Sequence, residues 1–505
     1  MKRIAIILLF ILGIFFLNLL PSCDGLDENY STNPTYRLSF STDTLSFDTV
    51  FSSVGSTTRQ FMIYNKNQEA LNIESIMLAS GEATGFRINV DGRKGSSFTD
   101  VGILAEDSMY VFVEVTVDPN GSDQPLLIQD SVLFTVNGIR QTVLLEAYGQ
   151  DVHLVKGGMT IHQDSTLTAD RPYLIYDSLV IAPNVDLTIE PGAIFYMHNQ
   201  ANLIVHGSMN AVGTLDEPIT FRGDRLDYIL NDVLPYDRTP GQWGGITFAS
   251  ESYDNVWDHV IVRNGSTGIV CELSTLDQPK LTIDNSQITN MDGDLLIAIN
   301  CDITATNTEF SNAGGSVLTL IGGSYYFAHC TVANYMSLTQ RDLSDVTSLD
   351  SKCLYLLSNT TVDGSGPYPI VKAYFDNCII DGSYSAGDFF TSGEILLQAD
   401  DDSEFDYLFN HCVLKAVETT GDHFEENLFN ESSETLYRMT GGQSNKYVYD
   451  FRLASESTMG VGQADRSVTQ NYPIDRYGVN RLTSEYGPTI GAYEYVPEET
   501  TDADE

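Results

Sequence analysis

The chain has 505 residues, with 26 Lys and Arg against 69 Asp and Glu, and its formal net charge is -43 at pH 7. Charge repulsion on this scale disfavours nucleic acid, anionic lipid surfaces and other polyanions as partners, and no nucleic-acid partner is expected. With 42% hydrophobic residues, 10% aromatic residues and 40 glycines, the composition is that of a folded protein and not of an acidic disordered chain. At roughly 150 residues per domain, the length allows about three average domains, or fewer if one is a repeat array.

The N-terminus has the pattern of a secretory signal. A positively charged start at 1–3 precedes an apolar run over 4–20, which is typical of signal peptides. The run ends in Leu-Pro-Ser-Cys at 20–23, which resembles the lipobox of bacterial lipoproteins. This resemblance implies that residues 1–22 are a lipoprotein signal peptide, that Cys23 is lipidated, and that a lipid anchor holds the protein in the outer membrane. An uncleaved membrane helix and an ordinary signal peptide are the alternatives.

Residues 23–35 are predicted to be an acidic tether. Asp24, Asp27 and Glu28 follow Cys23 closely, and this arrangement resembles the export signal of surface lipoproteins of the Bacteroidetes. The alternative is a solvated acidic linker with no export role. The sequence is therefore compatible with a location on either the periplasmic or the external face of the outer membrane.

Residues 36–150 are predicted to form a β-sandwich. Short runs of alternating apolar and polar residues occur at 59–64, 110–117 and 131–136, and this period of two indicates strands with one buried face. Turn signals separate the runs, and the segment resembles the small immunoglobulin-like (Ig-like) modules that lie between an anchor and a larger exported domain. We expect a spacer, and ligand binding is the alternative.

Residues 151–420 are predicted to form a parallel β-helix, because strands of three to five residues are separated at short intervals by Gly, Pro and Asn. The segments 187–192, 207–214 and 242–246 resemble the entry coils of right-handed β-helix proteins of the pectate-lyase-like superfamily. The resulting fold class is all-β: an N-terminal Ig-like β-sandwich followed by a right-handed parallel β-helix.

An internal repeat gives independent support for the β-helix. The frame Ile283-x-Asn285-x-x-Ile288-x-Asn290 recurs at 305–312 and again at 327–334, and coils stacked about 4.8 Å apart turn each repeated position into a ladder. Two inward apolar ladders are expected, one at 257, 283, 305, 327, 375 and 409 and one at 262, 288, 310, 332, 380 and 414. A structural ladder at tight turns, with amides bonding each other and the backbone, is expected at Asn264, Asn290, Asn312 and Asn334.

The C-terminal region is less regular. Residues 421–496 are predicted to be irregular coils and a cap, because 475–481 and 490–494 resemble the closing segment that covers the last coil in bacterial proteins of this fold. Residues 497–505 are predicted to be a disordered acidic tail.

No catalytic residue is predicted. A β-helix enzyme needs carboxylates on neighbouring coils, and the columns that continue from Asp284 and its neighbours give no stacked carboxylate pair. Asp292 and Asp294 are interpreted as an acidic turn, with a catalytic or calcium pair as the alternative. The acidic segment 400–404 could bind calcium but lacks the glycine of an EF-hand loop. No cofactor is expected, and calcium is the one ion left open.

The remaining six cysteines have no metal-binding spacing. They lie at 271, 301, 330, 353, 378 and 412, which suits buried thiols and excludes zinc. Tripeptides resembling the O-glycosylation motif of the Bacteroidetes, in which Asp precedes Ser or Thr, occur at Thr44, Thr49, Ser108, Ser131, Ser165 and Ser178.

The leading hypothesis for function is a non-catalytic cell-envelope lipoprotein whose β-helix presents a surface for polysaccharide or for envelope proteins. The alternative is a polysaccharide lyase or glycoside hydrolase with its site in the inserted loops 224–240 or 336–352. The 27 Tyr and 24 Phe suit sugar stacking under either hypothesis.

Overall fold

The computed structural model describes residues 30–230, 233–338, 351–362, 364–400, 404–442 and 447–498. Cys23, the predicted signal peptide and most of the acidic tail lie outside these ranges. The chain divides into two compact units, with the boundary between Asp151 and Val152. Within the described ranges, no helix combines the length and the apolar character needed to span a bilayer.

The N-terminal unit is a β-sandwich of two five-stranded sheets, as predicted. Sheet A contains, in spatial order, β1 (Ser39–Phe40), β3 (Arg59–Tyr64), β8 (Ser108–Val115), β5 (Phe86–Val90) and β6 (Arg93–Gly95). Sheet B contains β2 (Thr44–Phe51), β10 (Ile139–Gln150), β9 (Leu126–Val136), β4 (Leu71–Leu78) and β7 (Ser97–Ile103). Alternate residues of both sheets point inward and form one apolar core.

The second unit is a parallel β-helix of three sheets, and the all-β fold class is confirmed. Successive strands pass from sheet C to sheet D to sheet E and then start the next coil. Sheet C contains β11 (His153–Val155), β14 (Tyr173–Ile175), β17 (Ile194–Met197), β20 (Ile219–Gly223), β25 (Val260–Arg263), β28 (Gln287–Met291), β31 (Glu309–Ala313), β34 (Thr331–Asn334), β39 (Ile379–Gly382), β42 (Val413–Leu414) and β44 (Leu428–Phe429).

The other two walls of the β-helix are sheets D and E. Sheet D contains β12 (Met159–Ile161), β15 (Ser178–Ile181), β18 (Asn202–Val205), β23 (Gly245–Phe248), β26 (Ile269–Cys271), β29 (Leu296–Ile299), β32 (Leu318–Ile321), β35 (Leu354–Ser358) and β40 (Ile395–Ala399). Sheet E contains β13 (Ser165–Leu167), β16 (Asp186–Ile189), β19 (Ser208–Val212), β24 (Asn255–Asp258), β27 (Leu281–Asp284), β30 (Asp302–Thr306), β33 (Gly323–Ala328), β38 (Ile370–Asp376), β41 (Phe405–Asn410) and β43 (Phe424–Glu425).

Short elements lie outside these walls. They are the antiparallel pairs β21 (Tyr228–Leu230) with β22 (Leu234–Pro235), β36 (Thr360–Val362) with β37 (Ser365–Tyr368), and β45 (Tyr437–Thr440) with β46 (Tyr449–Leu453), a 3₁₀ turn at Tyr236–Arg238, and helix α1 (Arg466–Thr469).

Strand register confirms both apolar ladders. Trp257 pairs with Ile283, and the same column continues through Ala305, Phe327, Phe375 and Phe409. The second ladder pairs Val262, Ile288, Phe310, Val332, Ile380 and Leu414. All of these side chains are fully buried in one core. The sequence repeat therefore marks one coil in this part of the chain, as predicted.

The corners between sheets E and C use left-handed backbone conformations. In six successive coils the corner residue has a φ between 47° and 53°, and this position is occupied by His259, Asn285, Asn307, His329, Asn377 and His411. Asn and His adopt this conformation more readily than other side chains. At five of these corners the next position holds a hydroxyl or a thiol that donates to the carbonyl two residues earlier, as Thr308 and Cys378 do at 2.8 and 3.3 Å, whereas Val260 follows His259. The six cysteines in the described ranges are buried.

Residues 465–495 form a segment that we name the C-terminal strap. It lies along the E-to-C corners, where the Asp465 amide donates to Asn377 Oδ1 at 2.7 Å and Arg476 Nε donates to the Ser286 carbonyl at 3.2 Å. Gly491 donates to the Asn377 carbonyl at 2.8 Å, and a Cβ at Gly491 would lie 2.8 Å from Thr331 Oγ1. Residues of this strap therefore contact the flank of the middle coils, and Ile490, Ala492 and Tyr493 belong to the same apolar cluster as Val413 and Leu428 of the last coils.

Candidate functional site

A column of outward side chains precedes the E-to-C corners. It consists, in register, of Asp258, Asp284, Thr306, Ala328, Asp376 and Asn410. Asp258 and Asp284 are direct partners on neighbouring strands, β24 and β27, where strands lie about 4.8 Å apart. The prediction that no column stacks two carboxylates is therefore wrong. The long corner at 272–280 lengthens the coil between the two residues, so a comparison at one fixed spacing missed the pair.

Each carboxylate of this pair is held by the corner residues. His259 Nδ1 lies 2.7 Å from Asp258 Oδ1, and Asn285 Nδ2 donates to the same oxygen at 3.0 Å. On the next coil, Asp284 Oδ1 accepts from Thr306 Oγ1 at 2.6 Å and from the Asn285 amide at 2.9 Å. No residue in the described ranges donates a hydrogen bond to Oδ2 of Asp284, so half of this carboxylate is open to a ligand.

The two carboxyl groups have opposite pKa shifts. Burial and the nearby charge of Asp258 raise the pKa of Asp284 above its usual value. Burial also disfavours the charged form of Asp258, but hydrogen bonds from His259 and Asn285 outweigh burial and lower the pKa of Asp258. Asp258 is the group that stays ionised at lower pH, and Asp284 is the first of the two to take up a proton.

The C-terminal strap forms one wall of a cavity over Asp284. The cavity measures about 210 Å³ and is lined by Leu215, His259, Asp284, Asn285, Asn307, Asn471, Tyr472, Pro473, Ile474, Asp475 and Gly478. The lining combines the apolar side chains of Leu215 and Ile474, which are 44% and 43% exposed, with the Asp284 carboxylate. The volume is below the ~300–1,000 Å³ of most small-ligand sites, which limits the cavity to one ring or one end of a longer ligand.

Buried polar contacts position the strap that forms this wall. Arg481 is fully buried, and its Nη2 donates to Asn307 Oδ1 at 3.1 Å while Nη1 donates to the Thr489 carbonyl at 3.3 Å. Tyr493 Oη donates to Glu309 Oε2, and His329 Nε2 lies 3.0 Å from Thr469 Oγ1. Burial and the charge of Arg481 lower the pKa of His329, so a neutral imidazole is favoured in this packed environment.

Aromatic side chains continue the same face along sheet E. Tyr326 and Tyr374 are register partners on β33 and β38, and the Lys372 ammonium lies 5.0 and 5.1 Å from their ring centres. Tyr326 Oη donates to Asp376 Oδ2 at 2.8 Å. Half-buried tyrosines next to carboxylates supply both ring surfaces and hydrogen-bond acceptors, which is the combination that a sugar ring requires.

The predicted Asn ladder lies at the end of the sheet C strands. Asn264, Asn290 and Asn312 have positive φ values of 70°, 65° and 61°. Asn264 Nδ2 donates to the Thr239 carbonyl at 3.1 Å, Asn334 Nδ2 donates to the Ala313 carbonyl at 3.0 Å, and Asn312 Oδ1 accepts from a backbone amide. Each of these three hydrogen bonds joins an Asn side chain to the backbone.

The other candidate residues from the sequence are not brought together with the carboxylate pair. Asp294 Oδ1 accepts from the Ser316 amide at 2.6 Å, and Asp292 is exposed. Residues 401–403 of the acidic segment lie outside the described ranges, as does Cys23. Where the chain is described, no group of three or more His, Cys, Asp or Glu is placed to hold a metal ion.

The six proposed glycosylation residues all lie in strands. Of these side chains, only that of Ser108 is exposed, and the others are half-buried. The set comprises Thr44 and Thr49 in β2, Ser108 in β8, Ser131 in β9, Ser165 in β13 and Ser178 in β15.

A second cluster of buried charges lies on the outer face of sheet C. Asp381 is fully buried, where Tyr335 Oη and Asn430 Nδ2 donate to its two oxygens, the latter at 2.9 Å. Tyr437 of β45 packs edge-on against Tyr335, with ring centres 5.8 Å apart. Burial raises the pKa of Asp381 to about 6. This cluster anchors the β45–β46 hairpin and opens to no cavity among those described.

We expect the Asp381 carboxyl to make stability fall as pH rises from about 4 to about 6. The pKa of Asp381 in the folded state lies above the unfolded value of 3.8. Between pH 4 and pH 6 the folded state therefore binds more protons than the unfolded state, and the stabilisation from the bound proton is lost as pH rises through this range. Two pKa units correspond to about 3 kcal/mol. Asp381→Asn should remove this slope in urea unfolding measured from pH 4 to pH 7, whereas Asp216→Asn, at an exposed position, should keep it. An unchanged slope in Asp381→Asn would refute the assignment.

Comparison with known proteins gives little. No protein-family model and no curated protein match the chain. A family 123 glycoside hydrolase from Clostridium perfringens is 8% identical over 23% of this chain and 26% of its own, with a TM-score of 0.16. PapD-like domain 7 of human CEP192 is 10% identical over 26% of this chain and 95% of its own, with a TM-score of 0.17. A Porphyromonas gingivalis W83 protein of unknown function is 11% identical over 25% of this chain and 60% of its own, with a TM-score of 0.18.

The chain therefore spans about a quarter of the length of the hydrolase. All three identities and TM-scores are too low to support an argument about fold or activity. The case for the cavity on the β-helix rests on its own geometry.

Proposed function

We propose that the protein is a non-catalytic lipoprotein of the bacterial cell envelope, anchored through Cys23, whose β-helix binds a neutral glycan in the cavity beneath the C-terminal strap. In this proposal the helix is right-handed and of the pectate-lyase-like type, and the anchor and tether are those of a Bacteroidetes lipoprotein. The Ig-like sandwich holds the β-helix away from the membrane. A formal charge of -43 disfavours an acidic polysaccharide as the ligand.

The observation that carries the proposal is the Asp284 carboxylate, which has one oxygen without a hydrogen-bond donor among the described residues and lines a cavity together with apolar side chains. A carboxylate oxygen without a donor is a strong acceptor for a sugar hydroxyl. Tyr472 and Leu215 provide apolar contacts around it. Asp258 is not among the residues that line the cavity, so its role is to hold His259 and Asn285 in position.

The proposal is tested by titrating the purified full-length protein in detergent with a panel of neutral and acidic polysaccharides, with calorimetric detection. We expect saturable binding of a neutral polysaccharide, with one binding event that Asp284→Asn weakens at least tenfold and that Asp216→Asn leaves unchanged. Circular dichroism of each variant checks folding. Binding of no polysaccharide, or equal binding by Asp284→Asn, would overturn the proposed site.

A second candidate, glycoside hydrolysis, is favoured by the opposite pKa shifts of Asp258 and Asp284. Two neighbouring carboxyl groups with separated pKa values are the acid and base arrangement of glycosidases. Release of reducing ends by the wild-type protein, lost in both Asp258→Asn and Asp284→Asn, would replace the binding proposal with this one. Binding without release of reducing ends would exclude it.

Anchoring is tested separately by cell fractionation. Cys23→Ala should move the protein from the membrane fraction to the soluble fraction, because a lipid chain supplies the membrane affinity. A Cys23→Ala protein that stays with the membranes would contradict the lipid anchor.

A further inference from the structure

The outer face of sheet A carries a pair of exposed aromatic rings. Tyr110 and Phe112 alternate with buried residues along β8 and are 46% and 37% exposed. Their ring centres are 5.9 Å apart, and the ring planes differ by 26°. A stacked pair of large rings facing outward on a sheet is costly to leave in water.

A cavity of about 580 Å³ lies beside Phe112. Its lining comes from β5, β6, β8 and the adjacent loops: Thr58, Glu82, Phe86, Arg87, Ile88, Asn89, Lys94, Gly95, Ser96, Phe112 and Glu114. Asn89 is opposite Phe112 and Arg87 is opposite Glu114 in the sheet register, so these polar groups share the outer face with the ring. The volume falls within the ~300–1,000 Å³ that is usual for small-ligand sites.

The charges around this cavity balance. The lining contains two cationic side chains, Arg87 and Lys94, and two anionic ones, Glu82 and Glu114. The whole chain, in contrast, has a formal charge of -43. Two of the groups are already held: Arg87 Nη2 donates to Thr116 Oγ1 at 2.7 Å, and Glu114 Oε1 accepts from Thr58 Oγ1 at 2.9 Å. A lining with no net charge, with fixed donors and acceptors beside an exposed ring, complements a neutral polyhydroxyl ligand better than an ion.

From this juxtaposition we infer that the N-terminal sandwich is itself a saccharide-binding module, with one sugar ring stacked on Phe112 and its hydroxyls bonded to Arg87, Asn89 and Glu114. An extended peptide is the competing occupant, since β6 (Arg93–Gly95) is an edge strand of sheet A. Three residues offer few backbone hydrogen bonds to an added strand, so the saccharide is favoured.

The test isolates this site from the one on the β-helix. In the full-length protein carrying Asp284→Asn, calorimetric titration with neutral hexasaccharides of glucose, xylose and mannose should still show saturable binding. Phe112→Ala in the same background should weaken that binding at least tenfold. The matched control is Leu104→Ala, which removes a 44% exposed side chain from the same unit and should leave the binding unchanged.

Three results would overturn the inference: absence of binding in the Asp284→Asn background, equal binding by the Phe112→Ala protein, or displacement of the hexasaccharide by an unrelated extended hexapeptide. Thermal unfolding of each variant confirms that the sandwich is folded. The glycan site on the β-helix is tested by comparing Asp284→Asn with the wild-type protein, and the sandwich site is tested by adding Phe112→Ala to Asp284→Asn. Failure of one site is therefore distinguishable from failure of the other.

Discussion

Trp257→Ala is expected to lower the free energy of unfolding by about 3–5 kcal/mol, the usual range for truncating a fully buried aromatic residue. Trp257 is fully buried in the first apolar ladder. Its ring lies 6.4 Å from that of Phe221 and 5.8 Å from that of Phe248. Phe221, Phe248 and Trp257 lie in β20, β23 and β24, the three walls of one coil, and truncation would leave a cavity there because the neighbouring coils cannot collapse without shifting strands.

The controls for this prediction are Val256→Ala and Trp257→Phe. Val256 is the exposed neighbour, at 39%, and its truncation should change stability by less than about 0.5 kcal/mol. In the described residues no acceptor bonds the buried Trp257 Nε1, so Trp257→Phe should cost less than about 1.5 kcal/mol. Urea unfolding of the three variants checks the ranking. A loss below about 1 kcal/mol in Trp257→Ala would contradict the packed ladder.

Arg481→Met is expected to be equally destabilising, by about 3–5 kcal/mol, because it leaves buried groups without their cationic partner. The guanidinium is fully buried, donates to Asn307 Oδ1 and is attracted by the charges of Asp475 and Glu494. Arg481→Lys should lower the free energy of unfolding by less, because the positive charge remains. It should still be destabilising, because the two hydrogen bonds of the guanidinium are lost.

The measurement for Arg481 is limited proteolysis combined with urea unfolding. Loss of the guanidinium should release the C-terminal strap, so Arg481→Met should be cleaved within 465–495 at a protease concentration that leaves the wild-type protein intact. The exposed Arg466, which caps no buried carboxylate, provides the matched substitution Arg466→Met. Equal resistance of Arg481→Met and the wild-type protein would show that the strap is held by other contacts.

The repetitive part of the fold was predictable from the sequence. Ile283, Ala305 and Phe327 recur at one constant spacing, and stacking in register is the direct consequence of that spacing. Tight turns at Asn290 and Asn312 were predictable as well, since Asn adopts the positive φ found there more readily than most side chains. The sequence repeat was enough to predict the stacking of coils, because each coil of a repeat protein contacts chiefly its neighbours.

The site was less accessible to sequence analysis. The register partner of Asp284 is Asp258. Aligning Trp257 with Ile283 in the sequence also places these two carboxylates in one column. The pair was missed because the columns were followed only at the constant spacing of the later coils, and the coil between Asp258 and Asp284 is longer. The strap gave no such signal. Arg481 and Asn307 are 174 residues apart, and a contact between a repeat and a non-repetitive segment leaves no periodic trace. Tyr472 could not have been assigned to the cavity for the same reason.

Carboxyl footprinting of the full-length protein tests the central claim most directly. A water-soluble carbodiimide and an amine modify accessible carboxyl groups, and mass spectrometry gives the rate at each residue with and without a saturating neutral glycan. The account predicts that bound glycan slows modification of Asp284 at least fivefold and leaves the exposed Asp216 unchanged. An unaltered rate at Asp284 in the presence of saturating glycan would contradict the assignment of this cavity as the ligand site.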